Sequence, residues 1–262
     1  MKKILIAVAL LAVLVSPSFA DIFNINLSGG YTSLTMQNVN NDNQTKVNNI
    51  NATPDLSAKC DKLGPGYYAA LDLNFAVLPV LMFGPRVEYI GSFPAKFTET
   101  GNLSLNIPGY GTESGSGSIT DNFGVSLLPI ELGFSYKLGF PLVPISFKAG
   151  VYGGYALAFA YTSTTESIGP YASPAINVPY TGGAFVGEAL ASVDLSVAPF
   201  VTLGLNIGYR TCTVPQFKVP NDVTVDGVTV ATKNMTIKDV NGNDLAYDFS
   251  GLVAGIALNF GF

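Results

Sequence analysis

The sequence predicts an all-β protein: a transmembrane, antiparallel, up-and-down β-barrel of eight strands, with short turns at one end and long loops at the other. Three observations carry that reading. The 262-residue chain is apolar, with 48% hydrophobic residues, 12% charged residues and a mean hydropathy of +0.37. Beyond the first twenty residues, no apolar run approaches the roughly 18 uninterrupted residues that a membrane helix needs. Eight stretches alternate apolar residues with small or polar ones, the period-2 pattern of a strand with two unlike faces. A chain this apolar without a spanning helix satisfies its backbone in a bilayer only as a closed sheet.

The first element is a leader. Lys2 and Lys3 precede an apolar run from Ile4 to Val15, and Ser18-Phe19-Ala20 forms a small-x-small cleavage pattern, so residues 1–20 read as a secretory signal peptide. Residue 21 is Asp rather than Cys, which offers no lipid-anchored start, and the mature domain is expected to run over 21–262 with no further domain after Phe262. Without Lys2 and Lys3 the 13 basic residues become 11 against 18 acidic, and the net charge of −5 becomes −7. An acidic exported chain is a poor partner for nucleic acid.

Strands are expected over 22–36, 65–77, 81–93, 122–138, 145–161, 183–197, 200–213 and 246–262. Over 145–161, Ile145, Phe147, Val151, Tyr155, Leu157, Phe159 and Tyr161 share one face, with Ser146, Lys148, Gly150, Gly154 and Ala156 on the other. The seventh strand sets Leu203, Leu205, Ile207 and Tyr209 against Gly204, Asn206, Gly208 and Arg210. The last sets Leu252, Ala254, Ile256, Leu258, Phe260 and Phe262 against a face of mostly small residues. Tyr and Phe recur toward strand ends, as interfacial girdles require. Pro85 and Pro129 each remove a ladder donor, so bulges are expected near them.

The connections alternate as well. "LPV" (78–80), "GFPLVP" (139–144) and "AP" (198–199) are tight, Pro-containing turns, whereas 37–64, 94–121, 162–182 and 214–245 are long and polar. Within the last of these, "DVTVDGVTVA" (222–231) reads as a short hairpin around Asp226-Gly227 that stands above the membrane.

The leader, four hairpins with long loops at one end and a terminal strand ending "IALNFGF" resemble the small eight-stranded outer-membrane proteins of diderm bacteria, the group that includes outer-membrane proteins A, X and W. In that family the terminal aromatic, with alternate apolar residues before it, is read by the barrel assembly machinery. The resemblance implies that role for Ile256, Leu258, Phe260 and Phe262. It also implies periplasmic turns, extracellular loops and a home in outer-membrane lipid.

Candidate chemistry lies on the inward face. By parity Asp72, Arg86, Glu88, Glu131, Lys137, Lys148, Glu188, Asp194 and Arg210 point into the lumen. An eight-stranded barrel is just wide enough for its side chains, so buried charges there must pair or reach trapped water. The expected outcome is a salt-bridged plug; the alternative is a polar lane or gate that opens when pairs rearrange. Cys60 and Cys212 both fall at the loop end in an oxidising compartment, which predicts a Cys60–Cys212 disulfide, with two reduced thiols as the alternative.

The chain has no His, and no Ser with a Lys or carboxylate base is evident, so an enzyme is not expected. No metal or cofactor motif emerges. "GYGTESGSG" (109–117) lacks the helix and Lys of a phosphate loop. "DVNGND" (239–244) carries its Gly at the fourth place rather than the sixth and reads as a turn. Asn-x-Ser/Thr at Asn43, Asn51, Asn102 and Asn234 reflects Asn-rich loops. Two functions remain: a surface-exposed structural or interaction protein acting through its loops, or a conduit for small hydrophobic molecules of the kind the resemblance to outer-membrane protein W implies. Few large apolar loop residues and a charged lumen favour the first.

Overall fold

The computed structural model describes residues 22–78, 80–107, 111–139, 143–169 and 171–262. The expected leader and the mature start at Asp21 lie outside these residues, as does part of the glycine-rich 109–117 stretch. Eight strands form the wall: β1 (Phe23–Ser33), β2 (Pro65–Leu78), β3 (Leu81–Ser92), β4 (Gly111–Gly139), β5 (Ile145–Ile168), β6 (Ile176–Ala198), β7 (Val201–Thr211) and β8 (Gly251–Gly261). Each pairs antiparallel with its neighbours in the chain. Pairing of β8 with β1, from Asn24 opposite Gly261 to Thr32 opposite Val253, closes the ring. Closure leaves no strand edge within the ring to meet lipid.

The faces follow the sequence alternation. Leu27, Leu71, Val87, Ile130, Leu132, Val151, Leu195, Leu203, Leu205 and Ile256 are exposed on the outside. Tyr31, Tyr67, Tyr89, Phe93, Tyr161 and Tyr209 ring the barrel toward the loops, and Phe75, Phe134, Tyr136, Phe147, Phe200 and Phe262 ring it toward the turns. From Phe23 to Tyr31 the strand rises about 26 Å, or roughly 20 Å along the barrel axis at a 40° tilt, close to the height of an outer-membrane belt. Among the described residues no helix is long and apolar enough to cross a membrane; the apolar outer face of the closed ring is the surface that fits a bilayer. Phe262 joins the turn-side girdle and ties the ends together: its N–H donates to Phe23 O (2.8 Å), and Phe23 N–H donates to Phe262 O (3.1 Å).

The two prolines act differently from expectation. The β2–β3 ladder skips from Asp72–Arg86 to Phe75–Phe83 beside Pro85. The β3–β4 ladder skips from Val87–Ile130 to Ile90–Leu127 beside Pro129. Register is the same on both sides of each gap, so neither proline makes a bulge: a missing donor interrupts pairing without inserting a residue. The register shifts in these sheets fall instead near the turns, at Ala76/Leu78 and Val201/Thr202.

Three strands run well past the loop-side girdle. The expected loop 94–121 is largely a hairpin: a strand at Ala95–Ile107 continues beyond β3 and pairs with the first half of β4, from Ala95–Phe123 to Ile107–Gly111. The β4–β5 ladder extends to Gly117–Ile168, and Leu56–Cys60 adds to the far side of the Ala95–Ile107 strand. Thirteen residues of β4 from Gly111 to Phe123 span about 40 Å along the strand.

The mouth beneath this sheet is stoppered. Helix α1 (Gln37–Asn51) follows Met36, whose φ of 43° turns the chain over the barrel. Asp42 fixes α1 to the last loop by accepting from Val240 N–H (2.7 Å), while Lys46 pairs with its other oxygen at 2.8 Å. The inner face of this cap joins Leu34, Met36, Val39 and Leu63 to Val214, Phe217, Leu245, Tyr247 and Phe249, packed on lumen-facing Tyr68, Ala70, Ile90, Leu127, Ala156, Ala158 and Val253. The expected strand over 246–262 begins only at Gly251, because Tyr247–Asp248 turns inward to pair with Thr213–Val214. The expected hairpin is present, with Asp226 (φ 51°) and Gly227 (φ 80°) forming its primed turn. Residues 239–244 form a turn, in which backbone N–H groups of Asn243 and Asn241 hold the Asp239 carboxyl below the usual carboxylate range.

The Cys60–Cys212 bridge is not formed; both residues are free thiols. Cys60 sits in the projecting sheet opposite Phe97, whereas Cys212 is buried at the base of the cap, its N–H donating to Ser250 Oγ (3.1 Å). The first loop crosses the mouth without a disulfide, held there by apolar packing and by Asp42. Burial pushes both thiols up to about 11, so neither is a thiolate at neutral pH. Maleimide labelling at pH 7.4 is expected to be slow at both in the folded protein and rapid at both after denaturation. Fast labelling of the native Cys212 would contradict the packing of the cap.

Candidate functional site

The lumen below the cap gathers six of the nine predicted charges into one layer. Each stands at an inward-facing strand position: Asp72 on β2, Arg86 and Glu88 on β3, Glu131 on β4, Glu188 on β6 and Arg210 on β7. Adjacent strands place Asp72 opposite Arg86, Arg86 opposite Glu131, and Glu188 opposite Arg210. All six are almost completely buried, with Arg86 at 1% and Arg210 at 0% exposure.

Two guanidiniums organise the layer. Arg86 Nη1 donates to both oxygens of Asp72, at 2.8 and 3.0 Å, and its Nη2 lies 3.1 Å from Glu188 Oε1. Glu88 Oε1 and Glu131 Oε2 are more distant, each 3.9 Å from Arg86. Arg210 donates from Nη2 to Glu88 Oε1 (2.6 Å), from Nε to Glu188 Oε2 (3.0 Å) and from Nη1 to Thr32 Oγ1 (3.3 Å). Glu188 therefore bridges the two arginines. A planar fork with several fixed donors suits such sharing in a way that a lysine ammonium does not.

The remaining three predicted residues lie nearer the turns and are not part of this layer. Asp194 is buried opposite Ser146 and Gly204, and Lys137 and Lys148 face each other across β4 and β5, both partly exposed. A cavity of about 20 Å³ lies between Asn26, Asp72, Arg86, Lys148, Tyr152 and Asn206, room for about one water. The described lumen is thus filled by side chains at the level of the arginines.

Tyr152 is the residue that the sequence reading passed over. Its ring fills the lumen beneath Arg86, whose guanidinium carbon lies 5.5 Å from the ring centroid, within cation–π range. Gly133 and Gly150 leave the space: a Cβ at Gly133 would overlap the ring, and one at Gly150 would come within 3.0 Å of it. The signal was available, since Tyr152 stands between two inward glycines in the alternation of β5. Gly133→Leu is expected to displace the ring and lower stability by about 1–3 kcal/mol, read by chemical unfolding in detergent; an unchanged midpoint would contradict this packing.

No family model and no curated protein matches the sequence. Among solved structures, similar chains include Neisserial surface protein A (11% identity, 92% of this chain and 97% of that one, TM-score 0.39), OprG of Pseudomonas aeruginosa (11%, 92% and 97%, 0.40) and the outer membrane protease OmpT of Escherichia coli (10%, 94% and 100%, 0.42). Likenesses of that size carry nothing about activity. The closed ring, its apolar belt and its two aromatic girdles decide the architecture. The chain has the fold of the small eight-stranded outer-membrane barrels.

Proposed function

We propose that this protein is a surface-exposed interaction protein of the outer membrane, exported by its leader and acting through the structured region above the barrel rather than through its lumen. The observation that carries this reading is the contrast between the two ends of the wall. The lumen is shut by an ion-paired layer and again by an apolar cap, while β4, β5 and β6 extend far beyond the girdle as an ordered sheet. A rigid projecting platform presents side chains to a partner with less entropy lost on binding than tethered loops would lose. In this orientation the turns are periplasmic and the sheet faces the surroundings, available to host, matrix or neighbouring cells.

Replacing 96–122 with a short turn tests the role of the platform. The truncated barrel is expected to insert and still shift in gel mobility on heating, while adhesion of expressing cells to immobilised matrix falls to the level of cells lacking the protein. Undiminished adhesion by a correctly inserted truncation would overturn the reading. Deletion of Phe262 tests the assembly role separately: it removes a girdle ring and a backbone donor–acceptor pair with Phe23, and is expected to lower outer-membrane insertion with secretion intact.

The conduit reading has one feature in its favour. A rim cavity of about 160 Å³ lies between α1, the projecting sheet and the last loop, lined by Val39, Phe97, Phe123, Tyr161, Ile237 and Tyr247. Small-molecule sites are typically about 300–1,000 Å³, and this one is closed off from the lumen by the cap, so the surface role is preferred.

A further inference from the structure

We propose that the charged layer holds a divalent cation, of calcium size, among the carboxylates of Glu88, Glu131 and Glu188. These three groups come from β3, β4 and β6 and are buried, and one oxygen of each lies within 4.8 Å of the others. Ligands 2.3–2.6 Å from a calcium ion stand up to about 5 Å apart across it, so the spacing fits one coordination sphere.

Two further observations point to an ion rather than to a mere acidic cluster. Glu131 is 1% exposed, and no hydrogen-bond donor reaches either of its oxygens; its nearest cationic atom is Arg86 Nε at 3.9 Å. Glu88 Oε2 has no donor either, because Arg210 is engaged on Oε1. Glu188 Oε1 is likewise without a hydrogen bond, and Arg86 Nε and Nη2 are unbonded on the same side of the layer, so the guanidinium next to these carboxylates does not close their oxygens. Charge tells the same story independently. Asp72, Glu88, Glu131 and Glu188 face the two guanidiniums of Arg86 and Arg210, and Lys148 lines the small cavity beside Asp72. The acidic excess that remains lies on the Glu88 and Glu131 side, and a hard cation is what carboxylate oxygens favour. Glu188 is the weakest of the three ligands, since Arg86 and Arg210 already lie 3.1 and 3.0 Å from its two oxygens. Glu131 and Glu88 Oε2 are the principal ones.

The test uses the full barrel refolded in a zwitterionic detergent, free of lipopolysaccharide, stripped with EDTA and titrated with CaCl2 by calorimetry. About one calcium ion is expected to bind per chain, with a rise in the unfolding temperature on binding. Glu131→Gln is expected to weaken binding roughly tenfold or more, and Asp244→Asn, on the exposed last loop, to leave it unchanged. Absence of binding by the wild type would overturn the site and assign the acidic excess to bound protons. Wild-type affinity in Glu131→Gln would assign the ion to surface carboxylates and overturn it too. Should Glu131→Gln fail to fold, anomalous scattering from Mn²⁺-soaked wild-type crystals decides: a peak among the three glutamates supports the site, and peaks confined to the loops reject it.

Discussion

Arg210→Gln is expected to lower the stability of the barrel by about 3–5 kcal/mol, the typical cost of removing one partner from a buried ion pair. The substitution takes away the donors 2.6 Å from Glu88 and 3.0 Å from Glu188 together with the contact to Thr32, and glutamine supplies neither the reach nor the charge to replace them. Two carboxylates are then left in a region that solvent does not reach, and Arg86 already serves Asp72 and Glu188. Circular dichroism during chemical unfolding in detergent reads the loss directly, since the fold is dominated by strand. Arg210→Lys is expected to recover only part of it, because one ammonium cannot serve Glu88 and Glu188 with the same fork. Glu188→Lys should cost as much from the other side, by placing a third cation between the two arginines. A midpoint for Arg210→Gln within experimental error of the wild type would show that the layer contributes nothing net.

Phe217→Ala is expected to cost about 3–4 kcal/mol, as for a large aromatic truncated in a packed core. Phe217 is fully buried, meets Tyr247 edge-on with ring centroids 4.8 Å apart, and sits in the same cluster as Met36 and Val39 beside α1. Its backbone carries the cap as well, accepting from Ile237 N–H at 3.3 Å. Loss of the ring should therefore loosen α1 along with the last loop, and limited proteolysis of the folded variant should cut within 37–51 where the wild type resists. If the variant is neither less stable nor more easily cut, the cap is a set of loosely resting loops and not an extension of the core.

The parts of this structure that sequence reading reached are those where the environment has two faces. In the membrane belt one side of every strand meets lipid and the other the lumen, so alternation reports both, and parity alone placed Asp72, Arg86, Glu88, Glu131, Glu188 and Arg210 inside. Above the belt both faces of the sheet meet water and alternation disappears. Stretches such as "TETGNLSLN" (98–106) and "GSITD" (117–121) are mostly polar and read as loop, although both are strand. Helix α1 was hidden for a different reason. Seven of its fifteen residues are Asn, a weak helix former, its N-terminus lacks a capping side chain, and few apolar residues mark a face. It is held by tertiary contacts through Val39, Asp42 and Val47, which no local pattern records. The apolar cap escaped for the same cause: Met36, Leu63, Phe217, Leu245 and Phe249 are scattered through polar sequence, and only folding collects them.

The central claim is that the lumen is closed, and the conductance of the wild-type barrel in a planar bilayer tests it most directly. Moving an ion past Arg86 and Arg210 requires separating desolvated pairs in an interior already filled by side chains, a barrier that an applied potential of ordinary size does not overcome. The expected record is flat, with no steady conductance above the bare bilayer, and unitary events appear only when the layer is broken, as in Arg210→Gln. Stable, well-resolved channels from the unmodified protein would contradict the closed lumen and turn the function toward transport.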